Sequence, residues 1–133
     1  MADQQEPRAF GCPQCFGENP AAAWDHKLQT RSTLIDESHF DVAVRRCPAC
    51  GQQFVCIFTE FVDWADGDDP QYCDRLPLTD SEADALAAQG TAVDLKQIEE
   101  LGRNRRRLKM DHPKGKPRQV AWANGGLSVY PGH

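Results

Sequence analysis

Two pairs of cysteines, Cys12-Pro13-Gln14-Cys15 and Cys47-Pro48-Ala49-Cys50-Gly51, constrain this 133-residue chain more than any other feature. In each pair one tight turn presents two sulfurs to a single ion, at about 2.3 Å per bond, and two such turns complete a tetrahedron. Proline after the first cysteine pre-sets the bend, and Gly51 has the backbone freedom that lets amide N–H groups point at sulfur. Four thiolates leave no coordination position for water or substrate. The pattern therefore predicts a structural metal site on Cys12, Cys15, Cys47 and Cys50, and both zinc and iron accept such a ligand set.

Over residues 10–60 the arrangement resembles the zinc-ribbon family, with rubredoxin-like knuckles. The second knuckle matches well, as Cys47-Pro48-x-Cys50-Gly51 followed by Phe54; in the first, Phe16 stands where a small residue is expected and Gly17 comes one place late. The 31 residues between the knuckles exceed the common spacing of roughly 15–20. The resemblance implies two knuckles at the ends of hairpins in a small antiparallel sheet. It implies little about activity, because members of the family do unrelated things.

Hydrophobic residues make up 40% of the chain, enough for a modest core that a metal staple would help. The first nine residues are polar, and no apolar run reaches the length of a signal peptide or membrane span, so a soluble cytoplasmic protein without membrane association is expected. Cys56, in an apolar run, reads as a small buried hydrophobe, and Cys73, among carboxylates, as no nucleophile. His26 and His39 read as surface or sheet-edge side chains, because four cysteines already suffice for the metal. His112 and His133 lack matching ligands for a second site.

The expected fold is α+β, a small antiparallel zinc-ribbon sheet with two helices and a C-terminal β-hairpin. Residues 27–35 and 40–46 read as strands around the polar break Asp36-Glu37-Ser38, and 53–62 as a central strand apolar on both faces. Thr79 and Glu82 form a capping box for a helix that Gly90 ends. A second helix is expected from Thr91 or Asp94 to about Lys109, with Leu95, Ile98, Leu101 and Leu108 on one side. Asn124-Gly125-Gly126, between Val120 and Trp122 on one side and Leu127 and Val129 on the other, predicts a terminal hairpin. The chain thus divides into a disordered N-terminus (1–9), a zinc ribbon (10–62), an acidic loop (63–78) and a helical and hairpin part (79–133).

Charge is segregated: residues 1–100 carry −12 and residues 101–133 carry +7, which together make the net −5. The basic part, Arg103, Arg105, Arg106, Arg107, Lys109, Lys114, Lys116 and Arg118 with Trp122 just beyond, is a candidate grip on a nucleic-acid backbone. A solvated helix face, or a basic surface docked on the chain's own acids, explains the same residues. The acidic loop around Trp64 and Tyr72 offers a docking surface with two aromatic anchors. Three functions follow. A protein-interaction or accessory module with a structural zinc and a protein partner asks least of the sequence and ranks first. Nucleic-acid binding and a rubredoxin-like iron electron carrier are the alternatives. No nucleophile stands at useful spacing from a base and no phosphate loop is present, so an enzyme is not expected.

Overall fold

The computed structural model describes residues 10–61, 65, 67 and 69–129. The expected disordered segment 1–9, Trp64, three of the acidic-loop aspartates and His133 lie outside the described residues. The described chain runs α1 (Pro13–Phe16), α2 (Pro20–Asp25), β1 (Gln29–Glu37), β2 (Phe40–Arg46), β3 (Gln53–Glu60), β4 (Gln71–Leu78), α3 (Asp80–Gln89), a 3₁₀ turn (Gly90–Ala92), α4 (Leu95–Leu101), β5 (Arg106–His112) and β6 (Gln119–Asn124). The strands form one antiparallel sheet in chain order, β1-β2-β3-β4-β5-β6. The α+β expectation holds in this coarse form. Among the described residues no helix is long and apolar enough to cross a membrane.

β3 is central because its sequence is apolar at successive positions, which only a strand covered on both faces can use. Val55 and Ile57 join Val42, Val44, Leu76 and Leu78 in the main core, which α3 and α4 close with Ala83, Leu86 and Ile98. Phe54 and Cys56, on the opposite face, pack with Cys15, Cys47, Phe16 and Leu28. The sheet therefore lies between two helices on one face and the N-terminal cysteine segment on the other.

The capping box of α3 is present. The Glu82 N–H donates to Thr79 Oγ1 at 3.2 Å, and the Thr79 N–H donates to Glu82 Oε1 at 2.8 Å. Thr79→Ala is expected to destabilise the fold by about 1 kcal/mol, read as a lower denaturant midpoint at unchanged slope.

Three expectations need correction. The acidic loop gives way at Gln71, since 71–78 form β4, with Leu76 and Leu78 buried on the core side. Pro77 is tolerated because it lies beyond Arg75↔Leu108, the last pair of β4 with β5. The second helix stops at Leu101, and 106–112 form β5 instead. Gly102 caps the helix, its N–H bonded to Ile98 O at 3.1 Å, and a Cβ there would stand 2.7 Å from Leu127 Cδ2, so chain and side chain meet only because the residue is glycine. Past it, β4 has an open edge whose hydrogen bonds β5 satisfies, and Leu108 and Met110 alternate at strand period. The last hairpin also forms one turn earlier than expected. β6 pairs back onto β5 through 113–118, while Gly125 and Gly126, both at positive φ, turn the chain so that Leu127 and Val129 enter the main core.

Candidate metal centre

Cys12 is the N-cap of α1, a single helical turn in which Pro13 takes the first position and Cys15 the third. Cys47 and Cys50 sit in the 47–51 turn joining β2 to β3, closed by Gly51 N–H to Cys47 O at 2.8 Å. The second turn thus stands at a hairpin end, as the resemblance implies. The first does not; it is a helical turn that precedes every strand.

The two turns bring all four sulfurs within 4.8 Å of one another. Cys12 Sγ lies 3.8 Å from Cys15 Sγ and 4.0 Å from Cys47 Sγ, and Cys15 Sγ lies 3.8 Å from Cys50 Sγ. A tetrahedron with bonds of about 2.3 Å has edges of about 3.8 Å, so the sulfurs are spaced for one tetrahedral ion. Cys47 is inaccessible and Cys15 nearly so, whereas Cys50 is exposed.

Glycine is required at position 11, where φ is +72° and a Cβ would stand 2.9 Å from Cys15 Sγ. Backbone N–H groups serve the sulfurs as well. Cys12 N–H donates to Cys15 Sγ at 3.3 Å, and Gln52 N–H to Cys50 Sγ at 3.4 Å. The Gln52 side chain clamps the two turns together, accepting from Gly11 N–H at 2.9 Å and donating to Gln53 O and Leu78 O at 2.7 Å each.

Protonation of the thiols follows from their surroundings. Burial works to raise the Cys12 thiol, but backbone donors at Cys15 and Gln14 outweigh it and bring it down to about 7. Burial pushes Cys15 and Cys50 up. A divalent ion reverses that balance by neutralising two of the four thiolate charges.

His26 was not expected at the site. Its Nε2 lies 3.2 Å from Cys47 Sγ, placed there by α2, whose Asn19 cap accepts from the Ala21 and Ala22 N–H groups. With its proton on Nε2, the ring would donate to a Cys47 thiolate and take up part of its charge, which is the role outer-shell groups play around metal ligands. His26→Ala is expected to weaken metal affinity about 10- to 100-fold with the fold retained, read by competition with a chromophoric chelator at fixed pH.

Three of the eight basic residues, Arg105, Arg106 and Arg107, are engaged within the chain. The Arg105 guanidinium donates to both carboxylate oxygens of Glu82, at 2.7 and 2.6 Å, and to Pro77 O at 3.0 Å. That hydrogen bonding holds the Glu82 carboxyl below its ordinary range. Arg106 lies 4.2 Å from the Phe16 ring and 3.9 Å from the Trp122 ring, and donates to Phe16 O at 2.7 Å. It ties the first cysteine turn to the far end of the sheet. Arg107, with its side chain 7% exposed, is bound to Asp74 at 2.8 Å and to Gly125 O at 2.6 Å. Arg103 pairs with Glu100, and Lys109 stands 3.5 Å from Asp111. Lys114, Lys116 and Arg118 occupy the exposed β5–β6 connection.

Of the two aromatic anchors, Tyr72 lies half-buried on β4, edge-on to the exposed Phe61 with ring centroids 5.8 Å apart. It lines a cavity of about 400 Å³ with Asp74, Arg107, Lys109 and Asp111, whose charges pair with one another as described. Cys56 and Cys73 are both buried, and burial pushes both thiols up.

No protein-family model matches the chain, and neither a curated protein nor a solved structure is significantly similar to it.

Proposed function

We propose that this protein is a non-enzymatic accessory or protein-interaction module whose four-cysteine zinc site, of zinc-ribbon character, fastens the N-terminal segment to the sheet. The observation that carries the reading is the sulfur geometry: four thiols at tetrahedral spacing, drawn from two segments 35 residues apart and clamped by Gln52. A complete set of protein ligands makes the ion a staple, not a reaction centre. The ion would supply the cross-link, and the chain supplies the donors that orient each sulfur.

The exposed Cys50 and the two amide donors to sulfur favour one second reading, a one-iron electron carrier. Solvent exposure and hydrogen bonds to sulfur are what set such a centre's potential. Nucleic-acid binding has less support, because Arg105, Arg106 and Arg107 are engaged within the chain.

Elemental analysis with a visible spectrum, on protein purified without a metal-affinity tag, separates the readings. One zinc per chain and no colour is the expected result. One iron with thiolate charge-transfer bands transfers the proposal to electron transfer, and the absence of any metal overturns both. Stoichiometric capture of a protein partner from nuclease-treated lysate is expected of the zinc form, whereas capture that nuclease abolishes points to nucleic acid.

A further inference from the structure

The sheet has two outer strands, and the chain treats them differently. An open strand edge presents unpaired N–H and C=O groups to any other strand, and soluble proteins blunt such edges with bulges, charges, proline or a covering segment. β1 is protected in three of these ways. Its pairing with β2 is interrupted twice, between Thr30 and Ser32 and between Thr33 and Ile35. It carries Arg31, Asp36 and Glu37, and the Gly90–Ala92 turn lies against it.

β6 has no bulge, charge or proline of this kind. Its six residues, Gln119-Val120-Ala121-Trp122-Ala123-Asn124, are all uncharged. They pair with β5 without a register shift from Arg106↔Asn124 to Asp111↔Gln119. α2 packs against both β6 and β5, but among the described residues no other strand pairs with β6 and no helix or loop backbone bonds to it. After Asn124 the chain turns inward, where Gly125 N–H bonds to Arg105 O and Val129 N–H to Glu99, so the following segment leaves the edge open.

We propose that β6 is an interaction edge and that its partner is β6 of a second copy of this chain, paired antiparallel about a two-fold axis normal to the sheet. The chemistry of the edge calls for a β-strand as occupant, because alternate residues of an outer strand turn their backbone groups outward. The sequence suits itself as that strand. Centred on Ala121, antiparallel self-pairing sets Ala121 opposite Ala121 and Val120 opposite Trp122, small residue against small and aliphatic against aromatic, with no charge in the paired stretch. Such an axis keeps faces matched: Ala121 and Ala123 of both copies share one face, and Val120 and Trp122 the other. The basic residues Lys114, Lys116 and Arg118 precede β6, so the axis sends the two copies' clusters to opposite ends of the joint and like charges do not meet. The inference stands on the sheet alone and does not depend on the metal.

Sedimentation velocity of the full-length, metal-loaded protein over a concentration series tests it. A monomer–dimer equilibrium with Kd on the order of micromolar is expected. Ala121 is exposed, and in a two-fold pairing it faces Ala121 or Ala123 of the partner, so Ala121→Lys or Ala121→Glu sets like charges opposite each other. Each variant alone should sediment as a folded monomer, and an equimolar mixture of the two should dimerise again. A parent that stays monomeric throughout overturns the proposal. A dimer that survives both substitutions, or a mixture that fails to dimerise when each variant is folded by circular dichroism, does the same. Zinc content measured on the same samples keeps this outcome separate from that of the metal reading.

Discussion

Cys47→Ser is expected to weaken metal binding by on the order of 100-fold or more and to loosen the N-terminal segment from the sheet. Cys47 is the wholly buried member of the four-sulfur cluster, 4.0 Å from Cys12 Sγ and 3.2 Å from His26 Nε2, with its own backbone locked by Gln52 and Gly51. Structural zinc sites contribute roughly 10–16 kcal/mol in folding-coupled binding. A quarter share of that, about 3 kcal/mol, already corresponds to a loss on the order of 100-fold in affinity. The loss should appear as lower stability too, because a bound ion would join α1 to the β2–β3 turn. Cys50→Ser, at the exposed corner, should be the milder change. Chelator competition and thermal unfolding with and without added zinc measure both, and a Cys47→Ser protein with parental metal content and midpoint would refute the assignment of this ligand.

The same site fixes the sign of the pH dependence. Metal binds thiolates, so protons compete with it and affinity falls as pH falls. Burial raises Cys15 and Cys50, so binding must displace their protons at neutral pH. Acidification should release the ion progressively below neutrality.

Arg107→Ala should be the most damaging change outside the metal centre, at about 3–5 kcal/mol. Removing the guanidinium strands the half-buried Asp74 carboxylate and leaves Gly125 O without its donor. Burial already raises the Asp74 carboxyl above its ordinary range even with Arg107 present. A carboxyl with a raised folded pKa binds protons more readily when folded, so its stability contribution grows as pH falls. The deficit of Arg107→Ala should therefore shrink on acidification. Replacing both Arg107 and Asp74 by leucine should recover most of the loss, because neither charge is then left unpaired. Urea unfolding of the single and double variants at two pH values decides it; a loss under about 1 kcal/mol for the single variant would show the pair to be solvated.

The two variants probe the features that were most and least legible beforehand. The cysteines declared themselves through spacing, and α3 through Thr79, Glu82 and Gly90, because ligand turns and helix caps are local chemistry within four or so residues. β2 appears over 40–46, as its alternation predicts, and β3 declared its central place by being apolar on both faces. The arginines were illegible for the opposite reason. Arg105, Arg106 and Arg107 look like one basic run, yet as the chain enters β5 they alternate sides. Arg105 and Arg107 meet Glu82 and Asp74, while Arg106 lies between Phe16 and Trp122. No local pattern contains those partners, which stand 23, 33 and 90 residues away or across a hairpin.

By itself the sequence determined the ligand chemistry, the α3 boundaries and the two-faced strand at the centre, since each depends on neighbours along the chain. Only the tertiary structure decided that 71–78 and 106–112 are strands, that His26 reaches Cys47, and that β6 is an outer strand of the sheet. Those outcomes depend on the hydrogen-bonding needs of an open strand edge and on close approaches such as Leu127 over Gly102, which exist only once distant segments are packed together.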